Sequence, residues 1–281
     1  MTPATRAPKH RALVGISGYV YPRWRGTFYP SDLATRRWLE FASRKFPSIE
    51  LNGTFYSLKS PKIYAKWAAE VPDDFVFAVK GSRYITHNLK LRNSEQALAN
   101  FYASGILALG ARTGPFLWQL PASYGFTRDR VEPFLRMLPR DSRAAARLAR
   151  KHDDRIPDPL TSAQGTVPYR HAFEPRHESF FCAEFFDLLR EHDCAFVVAD
   201  TAGKFPYAEE VTTDLVYVRL HGSTQLYVSG YTDAELDAWA SKIRRWLRSA
   251  DVYVYFDNDA KVHAPFDALR LIERLEDKRR S

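Results

Sequence analysis

Eight short apolar runs separated by helical stretches constrain the fold of this chain more than any other feature. The runs are Leu13–Ser17, Ser48–Asn52, Phe75–Lys80, Pro115–Leu120, the stretch opening at His171, Ala195–Ala199, Leu215–Leu220 and Val252–Phe256. No hairpin turn signal joins one run to the next, so the pairing they imply is parallel, with crossovers returning the chain. Apolar spacing predicts helices over Leu33–Phe46, after Pro61, over Ser94–Leu109, and after Ser179, which is read as an N-cap. Thr232 and Glu235 spell a capping box for the helix carrying Leu236, Trp239 and Ile243, and a last helix buries Ala268, Leu271 and Leu275. Only residues 200–214 lack a helical pattern. Eight such units are what a closed (β/α)8 TIM barrel uses, and 281 residues suit a single one. Residues 121–167, with helices near Arg128–Met137 and Asp141–His152, are expected as an elaboration between strands four and five, lying over the barrel mouth. The expected boundaries are a loose tail at 1–11, the barrel at 12–276 and a basic tail at 277–281.

In a barrel the C-terminal ends of the strands converge on one face, so residues remote in sequence share a cleft. At those ends stand Glu50 and Asn52, Lys80, Gln119, Glu174 and Arg176, Asp200, Arg219 and His221, then Asp257 and Asn258. Lys80, Arg176 and Arg219 suit a carboxylate or phosphate, which arginine grips through paired hydrogen bonds. Glu174 and Asp200 are the candidate acid and base, and His221 a proton shuttle near neutrality. The stretch HAFEPRHESF carries the densest chemistry: Glu174 and Arg176, two apart, share a strand face, and His177 starts the loop. A structural ion pair tethering that loop accounts for the same residues. Glu50, Asn52, Tyr56, Lys80, His87, Gln119, Arg176, His177, Arg219 and Asn258 are taken as substrate-binding candidates. Tyr19, Tyr21, Trp24, Phe28 and Tyr29 crowd the first loop, with Phe55 and Tyr56 in the second; such rings pack loops or stack on a sugar or base.

Composition excludes several classes. No apolar run approaches the roughly 20 residues of a membrane span, and the basic start lacks the apolar stretch of a signal peptide, so no membrane partner and a cytoplasmic location are expected. Two cysteines, Cys182 and Cys194, make neither a disulfide framework nor a zinc site by themselves. His87, Glu174, His177, Asp200, His221 and His263 offer metal-ligand types, but no close-spaced ligand motif occurs and nearby Lys and Arg compete for the carboxylates. No metal is expected. Neither GxGxxG nor GxxxxGK[ST] is present, so no nucleotide cofactor is expected, and no GxSxG elbow occurs. The net charge of +8 includes rows at Arg143, Arg147 and Arg150 and at Arg244, Arg245 and Arg248, read as solvated faces, with nucleic acid as the alternative partner.

The segments GISGYVYPRW…FYP, IELNGTFY, FVFAVK…TH, LWQLP, FEPRHESF, VVADT, VYVRLHG and VYFDND…APFDAL together resemble the domain of unknown function 72, the YecE-like family. The resemblance runs in order from about Leu13 to Leu275. It implies a TIM barrel with a polar pocket at the C-terminal face of the strands, and no established reaction. Matching positions include Glu50, Asn52, Phe55, Tyr56, Lys80, His87, Gln119, Glu174, Arg176, His177, Asp200, Arg219, His221 and Asn258. The chain departs from the family pattern at Tyr19, where Trp is usual, and at Asp257 and Asp267, where Asn is frequent. The function expected is an enzyme (hydrolase, isomerase or lyase) using metal-independent acid–base chemistry on a small anionic or sugar-like substrate. The competing readings are a nucleic-acid-binding or nucleic-acid-processing barrel and a ligand-binding protein without turnover. Glu50, Lys80, Glu174, Asp200, Arg219 and Asn258 are expected to line one pocket.

Overall fold

All eight strands form and close on themselves. The structure, a computed structural model, describes residues 10–277. Of the expected N-terminal tail only His10 and Arg11 fall among them, and the basic run Lys278–Arg280 lies outside the described residues. The strands are β1 (Ala12–Ser17), β2 (Ser48–Leu51), β3 (Val76–Lys80), β4 (Thr113–Gln119), β5 (His171–Glu174), β6 (Cys194–Asp200), β7 (Leu215–Leu220) and β8 (Asp251–Phe256). Each pairs in parallel with its neighbours in chain order, and β8 returns to β1, so no strand edge is left open. The helices over Pro61–Glu70, Glu95–Ala103, Arg128–Met137, Ala183–Glu191, Asp233–Trp246 and His263–Asp277 belong to the outer layer, and no helix falls between residues 201 and 214.

Two apolar cores divide the strands by period two. Leu13, Val76, Ala78, Leu117, Ala172, Ala195, Val197, Leu215, Tyr217, Tyr253 and Tyr255 pack together across the lumen. The alternate positions, such as Ile49, Phe77, Phe116, Phe173, Phe196, Val198, Val254 and Phe256, join the core shared with the helices. The lumen mixes small side chains (Ala78, Ala172, Ala195) with large ones (Tyr217, Tyr253, Tyr255), while aromatic and branched side chains fill the outer wall. Gly15 marks the tightest place: a Cβ there would lie 1.8 Å from the Ser48 carbonyl oxygen of β2.

Local chemistry explains where helices depart from expectation. The capping box forms, with Thr232 and Glu235 each bonding the other's backbone. The helix over Ser94–Leu109 breaks after Ala103, because Gly105 adopts φ 129° and packs directly on Pro61. Ser179 does not cap a helix; its hydroxyl accepts from Phe126 N at 2.8 Å, and the helix begins at Ala183. The elaboration between β4 and β5 lies on the barrel's flank rather than over its mouth. Phe134 packs edge-on against Trp118 and Phe173, and the Pro139 carbonyl meets His171 Nε2 at 2.9 Å at the start of β5. Val131, Phe134 and Leu135 are buried because this helix serves as the crossover for its unit.

Candidate functional site

The last inward-facing position of each strand decides the site. In chain order these are Ser17, Glu50, Lys80, Gln119, Glu174, Ala199, Arg219 and, one residue past β8, Asp257. Seven of the eight are polar, and they sit above a largely apolar lumen in which Ser48 and the Tyr255 hydroxyl bond each other at 2.6 Å. Arg219 is fully buried at their centre. Its Nε and Nη2 donate to Glu50 at 3.1 and 2.8 Å, Nη1 donates to Glu174 at 2.8 Å, and Nη2 also reaches Asp257 at 2.9 Å and Ser17 at 3.1 Å. Tyr217 donates to Glu50 at 2.5 Å, and the Ser17 hydroxyl donates to the other oxygen of the same carboxylate. Glu174 further accepts from Gln119 at 2.9 Å and from Arg176 Nε and Nη2 at 3.3 Å. The imidazole of His221 is also buried, with Nε2 3.6 Å from Glu174 and Nδ1 3.0 Å from Asp257, the latter without hydrogen-bond geometry.

Ion pairing holds the Glu174 and Asp257 carboxylates of this network in their charged form. Burial opposes ionisation of Glu174, yet Arg219 and Arg176 outweigh it and hold the carboxyl well below its usual range. Asp257 behaves alike: Arg219 and His221 overcome burial and bring its carboxyl down to about 2. Arg219, taken from the sequence as an anion ligand, has its donors engaged by three carboxylates and a hydroxyl. Removing one partner from such a buried set typically costs about 3–5 kcal/mol, since a charge is left uncompensated.

Above the network opens a cavity of about 860 Å³. Asn52, Tyr56, Lys80, His87, Gln119 and Arg176 line it, as the sequence led one to expect. Lys80 is its chemical centre. The side chain is 8% exposed, its ammonium lies 4.5 Å above the Phe55 ring, and among the described residues no hydrogen bond or ion pair engages it. Burial and then the Arg219 charge push it down to about 8. Burial, with Lys80 and Arg83 nearby, brings His87 down to about 4, so its ring is neutral at physiological pH. Arg176 stacks 4.6 Å over Phe205 and donates to the Tyr227 hydroxyl at 3.2 Å. Tyr227 itself adopts φ 63°, a strained conformation for a tyrosine, and strain of this kind gathers at functional sites. Asn52 donates to Ser17 at 2.7 Å, while its buried Oδ1 has no hydrogen-bond partner among the described residues.

Three candidates fall elsewhere. Asp200 and Asn258 share the parity of the outward-facing residues Val198 and Phe256, and His177 lies in the loop three residues past the end of β5. Asp200 accepts from the Tyr231 hydroxyl at 3.0 Å in a separate cavity of about 300 Å³ lined also by Trp239 and Lys242. Asn258 donates to Asp267 and to the Ser229 carbonyl, both at 2.9 Å, behind the site. His177 accepts from Ser179 N and starts a single 3-10 turn. Of Glu50, Lys80, Glu174, Asp200, Arg219 and Asn258, expected to line one pocket, only Lys80 lines the open cavity; Glu50, Glu174 and Arg219 gather in the buried network beneath it, and Asp200 and Asn258 lie apart.

Sequence reasoning also passed over Asp259, which lines the cavity and is pushed up to about 6 by burial and by the neighbouring Asp257. Its position two residues beyond the inward-facing Asp257 was the available signal. The six residues considered as metal ligands do not converge. Among the described residues the one group within metal-ligand reach is Glu132, Glu191 and His192 on the outer flank, where Arg128 bonds both carboxylates. No helix among the described residues is long and apolar enough to cross a membrane.

Comparison with known proteins gives no reaction but a consistent kinship. The UPF0759 protein YecE of Escherichia coli (strain K12) is 30% identical over 112 residues, which cover 40% of this chain and 38% of that protein's length. The UPF0759 protein YunF of Bacillus subtilis (strain 168) is 22% identical over 89% of this chain and 90% of its own. Among solved structures, a DUF72 family protein of Thermotoga maritima MSB8 superposes with a TM-score of 0.76 at 27% identity, covering 95% of this chain and 100% of that one. D-psicose 3-epimerase of Clostridium cellulolyticum H10, solved with D-tagatose, shares the fold at a TM-score of 0.51 and 9% identity over 94% and 98% of the two chains. The family model described as "Protein of unknown function DUF72" matches residues 13–281, a span that takes in all eight strands but for Ala12 of β1 and every residue of the cavity, and the chain belongs to that family.

Proposed function

We propose that this protein is an enzyme that performs acid–base chemistry on a small anionic, sugar-like or hydroxy/oxo compound held in the 860 Å³ cavity. One observation carries the reading. A single cavity holds two titratable groups displaced toward neutrality from opposite sides, Lys80 at about 8 and Asp259 at about 6, and among the described residues neither is engaged by a partner in an ion pair. Environments that drive two groups apart from their ordinary values in this way assign a base and an acid. Arg176 and Arg83 provide the positive wall for a carboxylate or phosphate, and Tyr19, Tyr21 and Tyr56 provide flat surfaces for a sugar ring or carbon chain. Glu174, Glu50 and Arg219 serve as the charged frame that orients Arg176 and sets the potential at Lys80. His221 stays within that frame, and Asp200 has no part in the reaction.

The test is a melting-temperature and ligand-detected NMR screen of sugar phosphates, hydroxy acids and oxo acids, followed by turnover assays on the hits. Binding that weakens at least tenfold in Arg176→Ala is expected. The reading is overturned if no small anion binds, or if a single-stranded oligonucleotide binds submicromolar at physiological salt. The latter result would favour a nucleic-acid-processing barrel.

A further inference from the structure

We propose that Lys80 is a covalent catalyst, forming an imine with an aldehyde or ketone that carries a carboxylate or phosphate; this deepens, and rests on, the reading of the cavity given above. Three geometric facts set Lys80 apart. Its Nζ faces the cavity free of any hydrogen bond or ion pair among the described residues, whereas Lys59, the other lysine of the cavity, donates to the Ser57 hydroxyl at 2.5 Å. Its backbone is fixed: the Lys80 carbonyl accepts from Thr54 Oγ1 at 2.7 Å, and Gly81 leaves no room for a Cβ, which would lie 2.3 Å from the Trp118 ring. The Phe55 ring under the ammonium keeps one side of the amine apolar, a setting in which lysine serves as a nucleophile.

The step balances within the cavity. Deprotonated Nζ adds to the carbonyl carbon, a C–N bond forms, and the π pair moves to oxygen; the nitrogen, now positive, gives up one proton as the oxygen takes one up. A second proton converts that hydroxyl to departing water as the nitrogen pair forms the C=N bond. From ammonium and carbonyl the products are a protonated imine and water, with no net proton gained or lost. Asp259 is placed in the same cavity to carry the protons, and the unpartnered Asn52 Oδ1 to accept from the intermediate hydroxyl. Glu50, Asp257 and Glu174 act electrostatically on Lys80 in favour of its positive form, opposed by Arg219, and the same carboxylates favour the iminium. Arg176 and Arg83 hold the anionic end.

The experiment treats the intact protein, at a pH near the amine's own value of about 8, with glyoxylate, pyruvate or dihydroxyacetone phosphate in the presence of cyanoborohydride. Peptide mass mapping then locates the reduced adduct. The expected result is at least tenfold more adduct at Lys80 than at Lys59 or any other lysine with at least one compound, abolished in Lys80→Arg. Melts with the same compounds and with glycolate, lactate and glycerol 3-phosphate run in parallel. Stabilisation by these anions without a Lys80 adduct overturns the imine and leaves the acid–base enzyme standing. No adduct and no stabilisation by any of the six overturns both.

Discussion

Lys80→Met should make this protein more stable at neutral pH while removing its proposed activity. The ammonium's displacement from 10.5 to about 8 means that burial and Arg219 disfavour the charged form. At about 1.4 kcal/mol per unit, holding that charge in the folded state costs about 3 kcal/mol at pH 7. Methionine matches the length and packs against Phe55, but forfeits a cation–π contact worth about 1 kcal/mol. The net expectation is a gain of about 2 kcal/mol, or about 3 °C in a chain of this size. The sign also fixes a pH dependence. Between about 8 and 10.5 the unfolded chain binds more protons at this position than the folded one, so the lysine protein gains stability across that window. The advantage of Lys80→Met should therefore shrink as pH rises from 7 to 10. Urea titrations of both proteins at several pH values measure it. A variant less stable than the parent at pH 7, or a difference independent of pH, would refute the premise that Lys80 is a strained, unpaired cation.

Other consequences follow from the same geometry. On any substrate found, kcat/KM should depend on pH through ionisations near 6 from Asp259 and near 8 from Lys80, and Asp259→Asn should erase the one near 6, as read in a pH–rate profile. Glu174→Gln should lose about 3–5 kcal/mol in denaturant titration, because Arg219 and Arg176 lose a shared buried partner; stability unchanged within 1 kcal/mol would contradict the network. Asp257, brought from 3.8 to about 2, contributes stability that is complete above about pH 4 and lost as pH falls through 2, so Asp257→Asn should flatten the acid side of the stability curve. Gly15→Ala should prevent soluble expression, since its Cβ would overlap the Ser48 carbonyl where β1 meets β2.

What the sequence determined by itself was the strand content and the chemistry at the strand ends. Runs such as LVYVRL and VYVYF are long enough and apolar enough to be strands and nothing else in their context, and the missing hairpin signals make them parallel. Lys80, Arg176 and Gln119, which line the cavity, were legible as candidates because polar groups recur where the apolar runs stop. What only the tertiary structure decided was which way each end faces. A parallel strand is buried on both sides, so AFVVAD shows no apolar–polar alternation from which to read the phase. Closure of the barrel sets that phase, turning Ala199 inward and Asp200 out, and Asp257 inward and Asn258 out. Charge was decided there too: Arg219, a ligand by composition, became the buried centre of a carboxylate frame, and Lys80 was left as a buried cation facing the cavity with no hydrogen bond or ion pair among the described residues. Distances of a few ångströms among residues 169 positions apart govern pairing and desolvation, and those exist only once the eighth strand meets the first.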